Sequence, residues 1–232
     1  MFKKSEYKCP ICKDKKLLYV MKDGYEIARK CDCVLRQEAI ERIERSGIIE
    51  EDRNKTLDDY MTYGKKPLEY AKQTVKIYME SFNEIKNTRN NSLLLMGKSG
   101  SGKTMLGIIA AMHIVNEHST SLLYVSYRTM VTKLKQNIMD EYTYNLELGK
   151  IISSPLIFID DLFKGKITES DINIMYEIIN TRYLERKPII ISTECGLDEL
   201  LEIDEAIGSR IIEMSKNHIV MFDDSTTNHR MR

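Results

Sequence analysis

The chain has 232 residues, of which 42% are hydrophobic and 30% are charged, as expected for one folded domain with a small appendage. Lys plus Arg and Asp plus Glu both number 35, so the net charge of zero argues against a strongly basic duplex-DNA binder. No apolar run approaches the roughly 20 residues that cross a bilayer, and the N-terminus lacks the apolar segment of a signal peptide. We therefore expect a cytoplasmic protein without a membrane partner.

Four cysteines near the N-terminus form two close pairs, Cys9 with Cys12 and Cys31 with Cys33. In a reducing compartment such pairs bind metal more often than they form disulfides, and Zn²⁺ favours four tetrahedral thiolates. The intervening residues 17–25 predict a small hairpin with an Asp-Gly turn. So short a region buries little core, and a zinc ion would stabilise it. The alternative is a set of free or redox-active thiols.

The segment after the cysteines divides into a helix, a polar stretch and a second helix. Residues 34–46 predict a charged helix, and residues 68–85 predict the second. We interpret the polar residues 48–66 as a linker or an N-terminal arm of the next domain. The side chains in this arm that we expect near a nucleotide base are Leu57, Tyr60 and Met61. The expected organisation is a zinc-binding module with its helix over 1–47, a linker over 48–66 and a nucleotide-binding domain over 67–232.

A phosphate-binding loop follows the short apolar run 93–96, which is typical of a buried strand. The loop matches G-x-x-x-x-G-K-[ST] at every defined position, with the residues Gly97, Lys98, Ser99, Gly100, Ser101, Gly102, Lys103 and Thr104. Glycine lets phosphates lie directly on backbone N–H groups. Lys103 would reach the β- and γ-phosphates, Thr104 would ligate Mg²⁺, and a helix over 104–115 would direct its positive end at the anion. The alternative is a simple Gly/Ser turn, which the strand–loop–helix context disfavours.

An acidic pair ends the next strongly apolar strand, predicted over 155–161 after a strand at 121–126 and a helix at 127–141. Its apolar run is typical of a central parallel strand buried on both faces. Ligands of open α/β sheets bind at the carboxyl ends of the strands, where Asp160 and Asp161 lie. Asp160 is therefore placed to hold Mg²⁺ through water, and Asp161 to orient or deprotonate the attacking water. The alternative is a strand that merely ends in a polar loop.

The remaining chain alternates between helices and strands. The predicted elements are a helix over 170–185, a strand over 189–193, short helices over 197–203 and 205–215, a strand over 218–222 and a polar tail over 223–232. This alternation predicts βαβ units and an α/β fold with a parallel sheet. The polar end of the strand at 189–193 should lie beside the γ-phosphate. Cys195 stands alone, which favours a buried small residue over a nucleophile.

Three features together resemble a known family: the phosphate loop, the Asp160-Asp161 strand and the Gly208-Ser209-Arg210 helix. Residues from about 57 to 232 resemble AAA+ ATPases of the DnaC/DnaI helicase-loader type, which are related to IstB transposition helpers. The four-cysteine region resembles the zinc-binding module of DnaI-like and phage DnaC-like loaders. The resemblance implies an AAA+ P-loop NTPase fold with a parallel sheet flanked by helices, preceded by that module. It also implies that Arg210 is an arginine finger that acts on a neighbouring subunit.

Two departures from the loader pattern concern hydrolysis. Such loaders commonly end the fourth strand with Thr-Ser-Asn, whose Asn senses the γ-phosphate, whereas this chain has Ser192-Thr193-Glu194. A carboxylate facing the γ-phosphate would repel it, so either Thr193 senses the phosphate or sensing is weak. Many AAA+ proteins also carry Asp-Glu where this chain has Asp160-Asp161, and the shorter second carboxylate predicts slow hydrolysis.

The leading hypothesis is an ATP-dependent loader that places a replicative hexameric helicase on single-stranded DNA. Its expected cofactors are ATP, Mg²⁺ and Zn²⁺, and its expected partners are the helicase, single-stranded DNA and further copies of this chain. The alternatives are an IstB-like helper of a transposase, a small-molecule P-loop kinase, and a nucleotide-binding adaptor with little turnover. Candidate DNA contacts are Arg128, Lys133, Lys164 and Lys166.

Overall fold

The computed structural model describes residues 7–22, 24–45, 50–118 and 120–222. Its N-terminal part is a hairpin of two antiparallel strands, β1 (Leu17–Lys22) and β2 (Tyr25–Lys30), followed by helix α1 (Asp32–Arg45). The predicted hairpin and helix are thus confirmed. Two further sequence predictions, the Asp-Gly turn with Asp23 and the polar tail over 223–232, fall outside the described residues.

The predicted polar arm contains two short helical pieces and leads into a long helix. These elements are α2 (Glu50–Arg53), a single 3₁₀ turn at Leu57–Asp59, and α3 (Lys66–Ile85). Pro67 lies in the first turn of α3, where its missing N–H costs no helical hydrogen bond. Along α3, Leu68, Ala71, Val75 and Phe82 recur at helical spacing and are buried against the rest of the domain.

A five-stranded sheet forms the centre of the molecule. Its strands are β3 (Leu93–Met96), β4 (Leu122–Ser126), β5 (Leu156–Leu162), β6 (Ile189–Thr193) and β7 (Ile219–Met221). The spatial order is β4-β5-β6-β3-β7, and every neighbouring pair is parallel. The predicted parallel α/β sheet is therefore confirmed.

Helices cover both faces of this sheet. They are α3 together with α4 (Lys103–His118), α5 (Tyr127–Gln136), α6 (Glu141–Ser153), α7 (Glu169–Leu184), α8 (Leu197–Ile203) and α9 (Glu205–Ser215). Alternate residues of one strand enter opposite cores. Leu93 and Leu95 pack with α3 and α4, whereas Leu94 and Met96 pack with helices of the other face. Burial on both faces explains why the central strands are continuously apolar.

The region after β4 differs from the sequence prediction. A single helix over 127–141 was wrong, because α5 ends at Gln136 and a second helix, α6, begins at Glu141. Asp140 caps α6, and its carboxylate accepts a hydrogen bond from the Thr143 backbone N–H at 3.1 Å. An N-terminal cap of this kind is a recognisable sequence signal for a new helix.

The order of the strands decides where the site forms. Strand β6 lies between β3 and β5, and all three run in the same direction. Their carboxyl ends therefore meet at one edge of the sheet, where ligands bind in folds of this type. This edge brings together the phosphate loop after β3, the acidic pair of β5 and the polar residues that end β6.

The N-terminal module contacts the domain of the five-stranded sheet through α1. One guanidinium nitrogen of Arg36 donates a hydrogen bond to the backbone carbonyl of Asn116, near the end of α4, at 2.7 Å. Among the residues that the structure describes, no helix is long and apolar enough to cross a membrane.

Candidate nucleotide and zinc sites

Two glycines of the phosphate loop are required by close contacts. Gly97 has φ +148°, and a Cβ there would lie 2.6 Å from the Cβ of Phe222. Gly102 has φ +97°, and a Cβ there would lie 3.1 Å from the ring of Tyr60. Side chains at these positions would be both strained and crowded, so the loop keeps the bare backbone that phosphate binding needs.

Lys103 lies at the start of α4, and its side chain curls into the phosphate loop. Its ammonium group donates hydrogen bonds to the backbone carbonyls of Gly97 at 2.5 Å and Lys98 at 2.8 Å. Burial lowers the pKa of Lys103, and the carboxylates of Glu194 and Asp161 oppose that shift. The loop therefore holds a buried cation beside the N-terminal end of a helix, an arrangement suited to phosphate.

Asp160 is buried at the end of β5 and is fixed by three hydroxyl groups. One carboxylate oxygen, Oδ1, accepts hydrogen bonds from Thr104 at 2.9 Å and from Ser192. The other, Oδ2, accepts a hydrogen bond from Tyr124 at 2.8 Å. Burial raises the pKa of Tyr124, and the neighbouring Asp160 carboxylate raises it further. The Tyr124 hydroxyl therefore stays protonated and acts as a hydrogen-bond donor. A hydroxyl beside a carboxylate is the oxygen ligand set that Mg²⁺ prefers.

Sequence reasoning missed Tyr124 and the specific role of Ser192. Tyr124 lies on β4, which is separated by two strands from β3 and its phosphate loop, and its strand pattern gave no sign of a polar partner. Ser192 lies at the polar end of β6, and that position was the only sequence signal for it.

Asp161 sits on an irregular part of β5. Its φ is +56°, which is uncommon for a residue other than glycine, and the register of β5 with β6 shifts between Ile159 and Leu162. The backbone N–H of Asp161 donates a hydrogen bond to the Ser192 hydroxyl at 2.9 Å. Irregularities of this kind re-aim side chains, and here the side chain lines the cleft above the phosphate loop.

The cleft has a volume of about 480 Å³ and joins the phosphate loop to the polar arm. Lys103, Thr104 and Asp161 line one part of it, and Tyr60 and Met61 line another. Leu57, which we also expected here, instead packs against the apolar core. The polar part suits phosphates, and the aromatic and apolar part suits a base.

Lys164, in the loop after β5, pairs with two carboxylates. Its ammonium group lies 2.9 Å from Oδ2 of Asp161 and 3.1 Å from Oε1 of Glu194. The hydrogen bond to Asp161 has the largest effect on the pKa of Lys164 and raises it. Burial lowers this pKa, and the hydrogen bond to Glu194 also raises it. Glu194, which sequence analysis expected to repel the γ-phosphate, is therefore paired with a cation.

Thr193 is fully buried, and its hydroxyl is already engaged. It donates a hydrogen bond to the Leu162 carbonyl at 2.8 Å and accepts one from the Cys195 backbone N–H at 3.1 Å. In the described part of the chain, Thr193 is not among the residues that line the cleft. Its role as a γ-phosphate sensor stays a prediction. Cys195 is half-buried, and burial raises the pKa of its thiol, as suits an unreactive side chain.

Arg210 lies on α9 and contacts its own chain. Its guanidinium donates a hydrogen bond to the Ala206 carbonyl at 2.7 Å and lies 5.5 Å from the ring centre of Tyr176 and 5.6 Å from that of Tyr183. Of the described residues that line the cleft, none comes from α9. The fold thus does not bring Arg210 to the cleft of its own chain.

The four N-terminal cysteines converge on one point. Their sulfur atoms all lie within 4.8 Å of one another, with Cys9 and Cys31 3.9 Å apart and Cys12 and Cys33 3.6 Å apart. Tetrahedral zinc with Zn–S bonds of about 2.3 Å requires sulfur separations of about 3.8 Å. The cysteine cluster therefore fits a zinc ion in ligand type, number and spacing.

We expect the purified protein to contain about one zinc per chain, measured by elemental analysis. Cys12→Ser should lower this content because a hydroxyl is a poor zinc ligand, whereas the matched control Cys195→Ser should leave it unchanged. Metal-free protein whose hairpin amides still resist hydrogen exchange would contradict the zinc assignment.

A family model described as IstB-like ATP binding protein matches residues 25–223. The chain belongs to the IstB-like ATP-binding family. The matched range contains the whole phosphate loop, the acidic pair and Arg210.

The chain is also similar to individual proteins of known sequence or structure. The phage-like element PBSX protein XkdC of Bacillus subtilis (strain 168) is 32% identical over 235 residues, which cover 98% of this chain and 87% of that protein. A crystal structure of the DnaC helicase loader has a TM-score of 0.60 at 20% identity and covers 75% of this chain and 100% of that chain. A crystal structure of DnaI has a TM-score of 0.61 at 19% identity, covering 79% of this chain and 95% of that chain. The fold of this IstB-like protein is therefore similar to the folds of these two structures.

Proposed function

We propose that this IstB-like protein is an ATP-dependent loader that delivers a replicative hexameric helicase onto single-stranded DNA. The proposal rests chiefly on one combination, an ATP site on a fold similar to the DnaC helicase loader over that chain's full length, preceded by a four-cysteine module. The division into a module over 1–47, a linker over 48–66 and an ATPase domain over 67–232 belongs to the same proposal.

In this proposal the nucleotide site hydrolyses ATP slowly, and DNA or the partner stimulates it. Lys103 binds the β- and γ-phosphates, and Thr104 with Asp160 holds Mg²⁺, which would offset charge on the phosphates. Asp161 orients or deprotonates the attacking water. The 2.9 Å contact between Thr104 and Asp160 supports their shared role, and the position of Asp161 in the cleft supports its own.

The zinc module is proposed as the helicase-binding part. Along β1, Leu17, Tyr19 and Met21 alternate onto one face of the hairpin and are 43%, 65% and 70% exposed. A contiguous apolar surface on so small a module favours contact with another protein. A zinc ion bound by the four cysteines would stabilise the hairpin that carries this surface.

The candidate DNA contacts are not equivalent. Lys133 pairs with Glu147 at 2.7 Å, and Lys164 belongs to the nucleotide site. Arg128 donates a hydrogen bond to the Lys166 carbonyl at 3.2 Å, and both residues line one shallow pocket. Arg128 and Lys166 are therefore the preferred contacts for the phosphates of single-stranded DNA.

A second candidate function is that of an ATPase helper of a transposase, which the family description favours. A nucleotide-binding adaptor with little turnover is a variant of either function. The two main functions differ in the partner that the zinc module would recruit.

The test is helicase loading by the full-length protein. We expect the chain to form a complex with a replicative hexameric helicase and, with ATP, to load it onto circular single-stranded DNA, as measured by strand unwinding. Tyr19→Ser should weaken the complex because it removes a 65% exposed ring from the hairpin, whereas Tyr142→Ser, at a 79% exposed tyrosine on α6, should not. Failure to bind the helicase, or binding without loading, would contradict the proposal. Binding to a transposase instead would favour the second candidate.

A further inference from the structure

Lys164 joins two carboxylates at the edge of the ATP site. Its ammonium group contacts Asp161 at 2.9 Å and Glu194 at 3.1 Å, and the side chain lines the same cleft as Lys103. The side chain of Lys164 is 41% exposed and that of Glu194 is 38% exposed, so the pair contributes little to the core. The contacts therefore concern the charge of the site more than the stability of the fold.

Glu194 belongs to a cluster of charges beside the phosphate loop. Lys164 joins Glu194 to Asp161, and the side chains of Asp161, Lys164 and Lys103 all line the cleft. A carboxylate in this cluster opposes the binding of the negatively charged phosphates that Lys103 is proposed to meet. Without a nearby cation, Glu194 would repel the γ-phosphate most, because that phosphate carries the additional charge of ATP relative to ADP.

We propose that Lys164 is a positioning residue of the ATP site, which offsets Glu194 and thereby preserves the preference for ATP over ADP. The proposal depends on ATP binding alone and not on helicase loading. It also explains how a chain with glutamate directly after β6 retains a usable γ-phosphate site. The cation that compensates Glu194 comes from the loop after β5 and contacts the catalytic candidate Asp161 as well.

The first measurement is the affinity of Lys164→Ala for ATP and for ADP in separate titrations with Mg²⁺. We expect ATP affinity to fall about tenfold, because the carboxylates that Lys164 joins then lack the cation that offsets their charge. ADP affinity should change less than about twofold. Lys164→Arg should retain both affinities, and the matched control Lys150→Ala, an ion-paired lysine on α6 outside the cleft, should also retain both.

The deciding measurement is the double variant Lys164→Ala with Glu194→Gln. In this variant Asp161 stays charged but Glu194 does not. If Glu194 is the charge that Lys164 must offset, ATP affinity should return to within about threefold of the native value. An equal loss of ATP and ADP affinity in Lys164→Ala would identify a purely structural role and overturn the proposal. An unchanged ratio of the two affinities, or no recovery in the double variant, would also overturn it.

Discussion

Lys103→Ala is expected to abolish tight ATP binding, with a rise in Kd of about a hundredfold or more. The substitution removes a buried cation that the loop carbonyls of Gly97 and Lys98 hold where the phosphates would lie. Titration with a fluorescent ATP analogue measures the loss. Lys76→Ala, on the solvent-facing side of α3 and outside the cleft, removes the same side-chain atoms and should bind normally.

Asp161→Asn should separate binding from hydrolysis. Asparagine keeps the size of the side chain but cannot accept a proton, so ATP affinity should stay within about threefold while turnover falls about a hundredfold. Steady-state ATPase assays with and without single-stranded DNA measure the turnover. If Lys103→Ala and Asp161→Asn lose nucleotide binding to the same extent, the separate roles given to these residues are wrong.

Arg210→Ala is expected to lower turnover roughly a thousandfold or more without weakening ATP binding, as arginine fingers supplied in trans do in other phosphate-transfer systems. A guanidinium stabilises the charge that develops on the γ-phosphate. The described cleft receives no residue from α9, so the effect would have to reach the ATP of a neighbouring copy. In the isolated chain Arg210 lies against the rings of Tyr176 and Tyr183.

Mixing two inactive variants tests this role. Lys103→Ala chains do not bind ATP but can supply Arg210 to the ATP site of a neighbouring chain. Arg210→Ala chains bind ATP but lack the arginine finger. Together on single-stranded DNA they should recover part of the activity that each lacks alone. A mixture that associates yet stays inactive would show that Arg210 does not work in trans.

The stacking contacts supply the control for a structural role. Exposed cation–π contacts are worth about 0.5–1 kcal/mol. Tyr176→Ala removes one ring beside the guanidinium, so it should lower thermal stability slightly and leave turnover near the native value. If Arg210→Ala behaves in the same way as Tyr176→Ala, Arg210 serves only the packing of α7 and α9.

The local features of this protein could be predicted from the sequence because neighbouring residues determine them. The phosphate loop is a contiguous run, and its glycines and its lysine act through the backbone and side chains of that run. The central strands β3, β5 and β6 were predictable because burial on both faces requires continuous apolar runs. The cysteine pairs indicated a metal site because each short pair can supply two ligands from one turn.

Contacts between distant segments were decided only by the tertiary structure. Asp160 receives its hydroxyl partners from α4, β4 and β6, and the sheet order β4-β5-β6-β3-β7 that brings them together depends on packing across the whole domain. The break between α5 and α6 likewise interrupts a stretch that helical periodicity alone treats as continuous. Glu194 read alone predicted repulsion of the γ-phosphate, but the fold places Lys164 3.1 Å away and changes the charge of the site. Side-chain electrostatics depends on distance in space, and periodicity along the chain does not contain that distance.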